Sequence, residues 1–162
     1  MPDTDRFAIR NFEDADAEPL LTITRRAIAT IGPRVYSGAQ IEVWLSRHRD
    51  ADRYRRRSAK GGAILVAIEE NHVPVGYALL ERTGHLDHLY VDPDHTRSGL
   101  ADALLEEAES RARGFAAPHL FTEASDLARP AFERAGYRVT HRRDFKLDGV
   151  AIHNWAMEKD LA

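Results

Sequence analysis

The order of short apolar strands and amphipathic helices predicts an α/β (α+β) domain. Its mixed central sheet has about seven strands with helices on both faces, in the order β-α-α-β-β-β-α-β-α-β-β. Three observations carry this. An apolar strand, Leu89-Tyr90-Val91, stops at Asp92-Pro93, and a polar turn leads into a strongly amphipathic helix from Leu100. Two strand pairs read as hairpins, one around Asn71-His72-Val73-Pro74 and one around Asp148-Gly149. Finally, 162 residues at 43% hydrophobic and 30% charged suffice for one well-packed core, so residues 1–162 are expected to form a single domain.

In chain order, Arg6 to Asn11 alternates through Phe7 and Ile9 as a first strand. A helix from Asp14 carries Leu20, Leu21, Ile23, Ile28 and Ile31 and ends near Gly32-Pro33. Ser37 caps a second helix through Ile41, Trp44 and Leu45, and the charged stretch to Arg57 is expected to continue it. Ala63 to Glu70 and Val75 to Glu81 are strands, and His85 to Asp92 is the next. The helix after Gly99 has Leu100, Leu104, Leu105, Ala108, Ala112 and Phe115 on one stripe, acids early, Arg111 and Arg113 late, and Gly114 to end it. His119 to Glu123 is a strand, Ser125 or Asp126 opens a helix ending at Gly136, and the last hairpin slips phase near His141.

The turn before Leu100 has chemical meaning. A helix start leaves several backbone N–H groups unpaired at the positive end of the helix dipole, which suits a phosphate or pyrophosphate. A side chain at Gly99 would hold such a ligand off the amides. The Gly-Lys-Ser/Thr ending of a P-loop and the three spaced glycines of a dinucleotide fingerprint are both missing.

Composition narrows the function classes. A net charge of −3 argues against a nucleic-acid partner. The basic runs Arg53, Arg55, Arg56, Arg57 and Arg142, Arg143 read as solvated surface. With no cysteine there is no disulfide, thiolate nucleophile or cysteine zinc site. Eight histidines invite a metal, but strand alternation sends His85 and His88 to opposite faces, so no metal site is expected. No apolar run reaches membrane-spanning length and Met1 to Arg10 is unlike a signal peptide, so no membrane partner and a cytoplasmic domain are expected, as monomer or homodimer.

Val91-Asp92-Pro93 with Gly99-Leu100-Ala101 and Leu104-Leu105 resembles the pyrophosphate motif of the GNAT superfamily of N-acetyltransferases. Ala128-Arg129-Pro130-Ala131-Phe132-Glu133-Arg134-Ala135-Gly136-Tyr137 is similar to that family's Tyr-Glu-x-x-Gly-Phe helix. With Phe121-Thr122-Glu123-Ala124-Ser125 and the tail Gly149, Asn154, Met157, the chain resembles the YafP-like acetyltransferases most closely. The resemblance implies the GNAT fold and direct transfer of acetyl from acetyl-CoA, as acyl-donor cosubstrate, to a primary amine of a small molecule or peptide terminus. It implies a bulge near Leu89-Tyr90-Val91 that splays this strand from Phe121-Thr122-Glu123, with acetyl-CoA in the gap and the Val91 N–H polarising the carbonyl. The implied cofactor-binding residues are Leu89, Tyr90, Val91, Thr96, Arg97, Ser98, Gly99, Leu100, Ala101, Asp102, Ser125, Ala128 and Phe132. Thr96 stands where the family has Gln or Arg, Ser125 where it has Asn, and Phe132 where many members carry a proton-donating Tyr. Phe132 motivates an alternative, a GNAT-fold acyl-CoA-binding regulatory module with little turnover.

Amide formation from a thioester needs a neutral amine, a polarised carbonyl and a leaving thiolate. His88, Glu81, Asp87 and Glu123 are the candidate bases, His88 because an ordinary imidazole titrates near neutrality. Tyr90 and Tyr137 are candidate proton donors. Alternation places Leu86, His88 and Tyr90 on one face of their strand. By the resemblance, the acceptor pocket lies between the first two helices and the last hairpin, making Tyr36, Ser37, Trp44, Asp144, His153, Asn154 and Trp155 substrate-facing, with Glu123 beside them. Trp44 is also expected to pack with Ile41 and Leu45.

Overall fold

The computed structural model describes residues 7–161. The expected strand residue Arg6 lies outside them, and the first strand, β1, is Phe7–Asn11. It pairs antiparallel with β2 (Ala63–Glu69), which pairs with β3 (Pro74–Leu80), which pairs with β4 (Leu86–Val91). The last three strands, β5 (His119–Ala124), β6 (Arg138–Leu147) and β7 (Val150–Asp160), form a second sheet ordered β5-β7-β6. The seven expected strands are therefore present, divided four and three. One parallel bridge, His85 to Phe121, joins the sheets.

Helices α1 (Ala17–Ile31) and α3 (Asp52–Ala59) cover one face of the first sheet, and α4 (Leu100–Gly114) covers the other. Strand β2 is apolar from Ala63 to Ile68, where both of its faces are buried. Ile64, Val66 and Ile68 meet Leu20, Ile23 and Tyr54, while Ala63, Leu65 and Ala67 join the cluster holding Leu100, Leu104 and Leu105. Each fully buried leucine here contributes roughly 1.5–3 kcal/mol, so the α4 stripe is a main anchor of the turn at its N-terminus.

Helix α2 (Gly38–Leu45) starts at the expected Ser37, whose Oγ accepts from Gln40 N while the Gln40 amide oxygen accepts from Ser37 N. The expected continuation to Arg57 fails: the helix ends at Leu45 and α3 begins only at Asp52. Arg25 of α1 holds this break by donating to the carbonyls of Leu45 (3.0 Å) and His48 (2.7 Å). Helix α5 (Arg129–Arg134) also begins later than expected, because Ser125 forms a turn in which its Oγ accepts from Ala128 N. The slip near His141 is a bulge between Val139 and His141, and Asp148-Gly149 turns with both residues left-handed. Among the described residues no helix is long and apolar enough to cross a membrane.

Candidate active site

The site begins where the sheets part. At its base Phe121 N donates to Gly84 O (3.0 Å) and Thr122 Oγ1 to Leu86 O (2.7 Å). Gly84 is required here: its φ is +99°, and a Cβ would lie 2.1 Å from the His119 carbonyl oxygen. Beyond this point β4 has no strand neighbour on its β5 side. Asp92 N donates to Val75 O (2.8 Å), which fixes the alternation of the β3–β4 ladder. Tyr90 and His88 exchange bonds with β3, whereas the N–H and C=O groups of Leu89 and Val91 face the open edge.

The bulge that produces this phase sits lower than expected. Leu79 opposes His88 and Leu80 opposes Leu86, so the extra residue is Asp87, not one of Leu89-Tyr90-Val91. One inserted residue reverses the faces. Leu86 packs with α4, while His88 and Tyr90 face α1 and α3, correcting the expectation that all three share a face.

At the other end of the gap, Arg97 and Gly99 are both left-handed (φ 63° and 81°), and the first helical bond of α4 is Ala103 N to Gly99 O. The N–H groups of residues 97–102 have no protein acceptor among the described residues. This amide row, with the dipole of a 15-residue helix behind it, fits a diphosphate. It opens into a cleft of 670 Å³. Leu89, Tyr90, Val91, Thr96 and Arg97 line one side, and Gly99, Leu100, Ala101 and Asp102 another. Ser125 and Ala128 close it, while Arg134 Nε stands 3.1 Å from the Asp102 carboxylate and offsets its charge. Two expected cofactor residues do not line this cleft with their side chains. Ser98 turns its Oγ onto His95 O (2.6 Å), and Phe132 is buried against Tyr137 and borders the neighbouring cleft.

That second cleft, 490 Å³, shares Trp44, Leu89, Tyr90, Ser125 and Ala128 with the first. Of the expected catalytic residues, Asp87, His88 and Tyr90 line it, and of the substrate residues Tyr36, Trp44, Glu123, His153 and Asn154 do. Four candidates do not reach it. Glu81 is turned to Arg57 (3.1 Å) and His85 (2.8 Å), and Ser37 serves the helix cap. Asp144 is exposed beside Arg142. Trp155 stacks under Arg129 and donates to Asp126 (2.5 Å). His48, Arg53 and Arg143 line it too; the two arginines correct their reading as solvated surface, and no local pattern marks His48.

Burial sets the protonation states. His88 Nδ1 lies 2.9 Å from the Tyr77 hydroxyl, which joins the hydroxyls of Thr24 (2.7 Å) and Tyr54 (2.8 Å) in a closed network. Desolvation pushes the His88 imidazole down to about 3, overturning the expectation that it titrates near neutrality. Burial likewise lowers His48 to about 4. His85 moves oppositely: the hydrogen bonds it donates to the Glu123 and Glu81 carboxylates outweigh burial and raise it to about 9, so it is an imidazolium at neutral pH. Burial holds the Tyr90 hydroxyl well above its ordinary value; it accepts from Trp44 Nε1 (3.2 Å) and keeps its proton. Tyr137, the other candidate donor, has its hydroxyl buried in the core with no hydrogen-bond partner among the described residues, away from both clefts. Among the described residues no three His, Asp or Glu side chains converge as metal ligands.

The family model for the acetyltransferase (GNAT) domain matches residues 33–160. The chain belongs to the GNAT acetyltransferase family. It is 33% identical over 153 residues to the Escherichia coli K12 protein named "Uncharacterized N-acetyltransferase YafP", covering 92% of this chain and 93% of that one. Among solved structures it is similar to a GCN5-related N-acetyltransferase, also described as an aminotransferase, class-II, from Rhodopseudomonas palustris. The TM-score is 0.86 at 31% identity, covering 95% of each chain. The PaiA N-acetyltransferase of Thermoplasma acidophilum, solved in complex with coenzyme A, shares the GNAT fold with a TM-score of 0.77 at 19% identity, over 95% of this chain and 98% of that one.

Proposed function

We propose that this GNAT protein transfers acetyl from acetyl-CoA directly to a primary amine of a small molecule or a peptide terminus. One observation carries the reading: the cleft bounded by the unpaired amides and the cleft bounded by titratable groups share a wall at Leu89, Tyr90 and Trp44. The diphosphate of the cosubstrate fits the amides of residues 97–102, and its pantetheine fits the open edge of β4 as an added strand. When bound, acetyl-CoA supplies the activated acyl group.

In this reading the Val91 N–H, facing the open edge, polarises the thioester carbonyl. The amine nitrogen bonds to the carbonyl carbon as the carbon–sulfur bond breaks. The amine proton leaves by way of water to Asp87 or Glu123, the carboxylates lining the acceptor cleft. His88 is neutral with one nitrogen engaged by Tyr77, so its part is to orient rather than to collect the proton. The Tyr90 hydroxyl donates a hydrogen bond to the departing thiolate, and solvent completes its protonation. Screening primary amines for CoA release, alongside Asp87→Asn and Glu123→Gln, tests this. Release with at least one amine, reduced in one or both variants, is expected. Tight acetyl-CoA binding without release across a broad panel would favour the regulatory module.

A further inference from the structure

The charges in the acceptor cleft do not cancel, and the excess is positive. Asp87 already meets Arg57 (2.8 Å), and Glu123 meets His85 (3.0 Å), cations that stand outside the cleft. Arg47 pairs with Asp148 (3.3 Å) and His153 with Asp126 (2.9 Å). His48 and His88 are buried and neutral. Two arginines remain without a carboxylate partner among the described residues. Arg53, from the first turn of α3, donates only to the Arg47 carbonyl (3.2 Å). Arg143, from β6, donates to the Asn154 side-chain oxygen (3.1 Å) and lies over the Phe145 ring. Both are half-buried, and they reach the same 490 Å³ space from different elements, Arg53 from a helix packed on the first sheet and Arg143 from a strand of the second.

From this we infer that the acceptor amine also carries a carboxylate or other anionic group, bound by Arg53 and Arg143: an amino-acid-sized zwitterion rather than a polyamine. The inference rests on the acetyl-transfer reading for the word acceptor. The binding itself rests only on the two guanidinium groups. A guanidinium drawn partly out of water gains most from a planar anion it can grip with paired N–H donors. The same two charges disfavour an ammonium in the cleft, pushing the bound amine toward its neutral, nucleophilic form. A polycation meets the repulsion without the compensating contact.

The test separates binding from turnover. Calorimetry on the full chain saturated with CoA measures affinity for each standard amino acid, its methyl ester and spermidine. For the best-bound amino acid, affinity is expected to exceed that of its ester by at least about tenfold, and spermidine is expected to bind most weakly. In Arg53→Gln and Arg143→Gln that preference is expected to shrink several-fold, with CoA affinity in the same titrations reporting an intact fold. Esters or spermidine binding as well as the free acids, or a preference that survives both substitutions, overturns the inference whatever the turnover. CoA release measured on the same panel bears separately on the acetyl-transfer reading: failure of release with every amine, alongside selective binding of acids, would remove that reading and leave the anion site standing.

Discussion

Replacing Gly99 by glutamate should abolish CoA binding, and the size of the effect follows from the geometry. Gly99 is the N-cap of α4 with φ 81° and ψ 6°, at the centre of the unpaired amide row from 97 to 102. Any L side chain adopts that conformation at a cost of roughly 1–2 kcal/mol, which lowers stability without touching the ligand's charge. A carboxylate held about 6 Å from a diphosphate adds, at an effective dielectric near 20, about 3 kcal/mol of repulsion per phosphate charge. One such charge already corresponds to a loss of more than about a hundredfold in affinity. Gly99→Asn separates the two contributions, since asparagine tolerates the left-handed region and carries no charge. Calorimetric titration with CoA should therefore show little binding for Gly99→Glu and a much smaller loss for Gly99→Asn. Equal affinity of wild type and Gly99→Glu would refute the placement of the diphosphate.

Tyr90→Phe should lower kcat by roughly ten- to a hundredfold with little change in the KM for acetyl-CoA, whereas Phe132→Tyr, buried against Tyr137, should leave kcat within about twofold; steady-state CoA release distinguishes them, and the reverse ranking would move the proton donor to position 132. His85 has a folded pKa of about 9 against an ordinary 6.5, so its contribution is fully present below about pH 6.5 and is lost as pH rises through 9. The shift corresponds to at most about 3 kcal/mol; urea unfolding at pH 6 and pH 10 should show a smaller pH dependence in His85→Gln, and an identical one would exclude His85 as its source. Arg25→Met leaves the carbonyls of Leu45 and His48 unpaired and should cost roughly 1–3 kcal/mol in urea unfolding, raising the amine KM as His48 shifts against His88 and Tyr90; unchanged stability would show that solvent replaces the arginine.

The unpaired amide row before α4 was legible in the sequence because each of its causes is local. A strand that stops at Asp92-Pro93, a glycine and an apolar stripe at helical spacing all lie within some twenty residues, and each is a short-range backbone preference. The acceptor cleft was legible only in part, since its determinants act across the chain. The break after Leu45 depends on carbonyls capped by Arg25, 20 residues earlier, so His48 and Arg53 turn inward where helical periodicity would have carried them along a charged face. The Asp87 bulge leaves no compositional trace, yet that single extra residue decides that Leu86 and His88 face opposite ways and that Leu89 and Val91 offer their backbone groups to the gap. Arg143 reads as surface in the sequence because it belongs to a short basic run, and such runs are ordinarily solvated. It turns inward because it shares the face of β6 that carries Phe145 and Leu147 toward the cleft. The main-chain groups of the amide row are thus fixed by local rules, whereas the side chains lining the second cleft are fixed by how the two sheets and the helices on them meet. Substitutions that change the selected amine are therefore expected at positions 53 and 143, and those that abolish acyl-donor binding at 97 to 102.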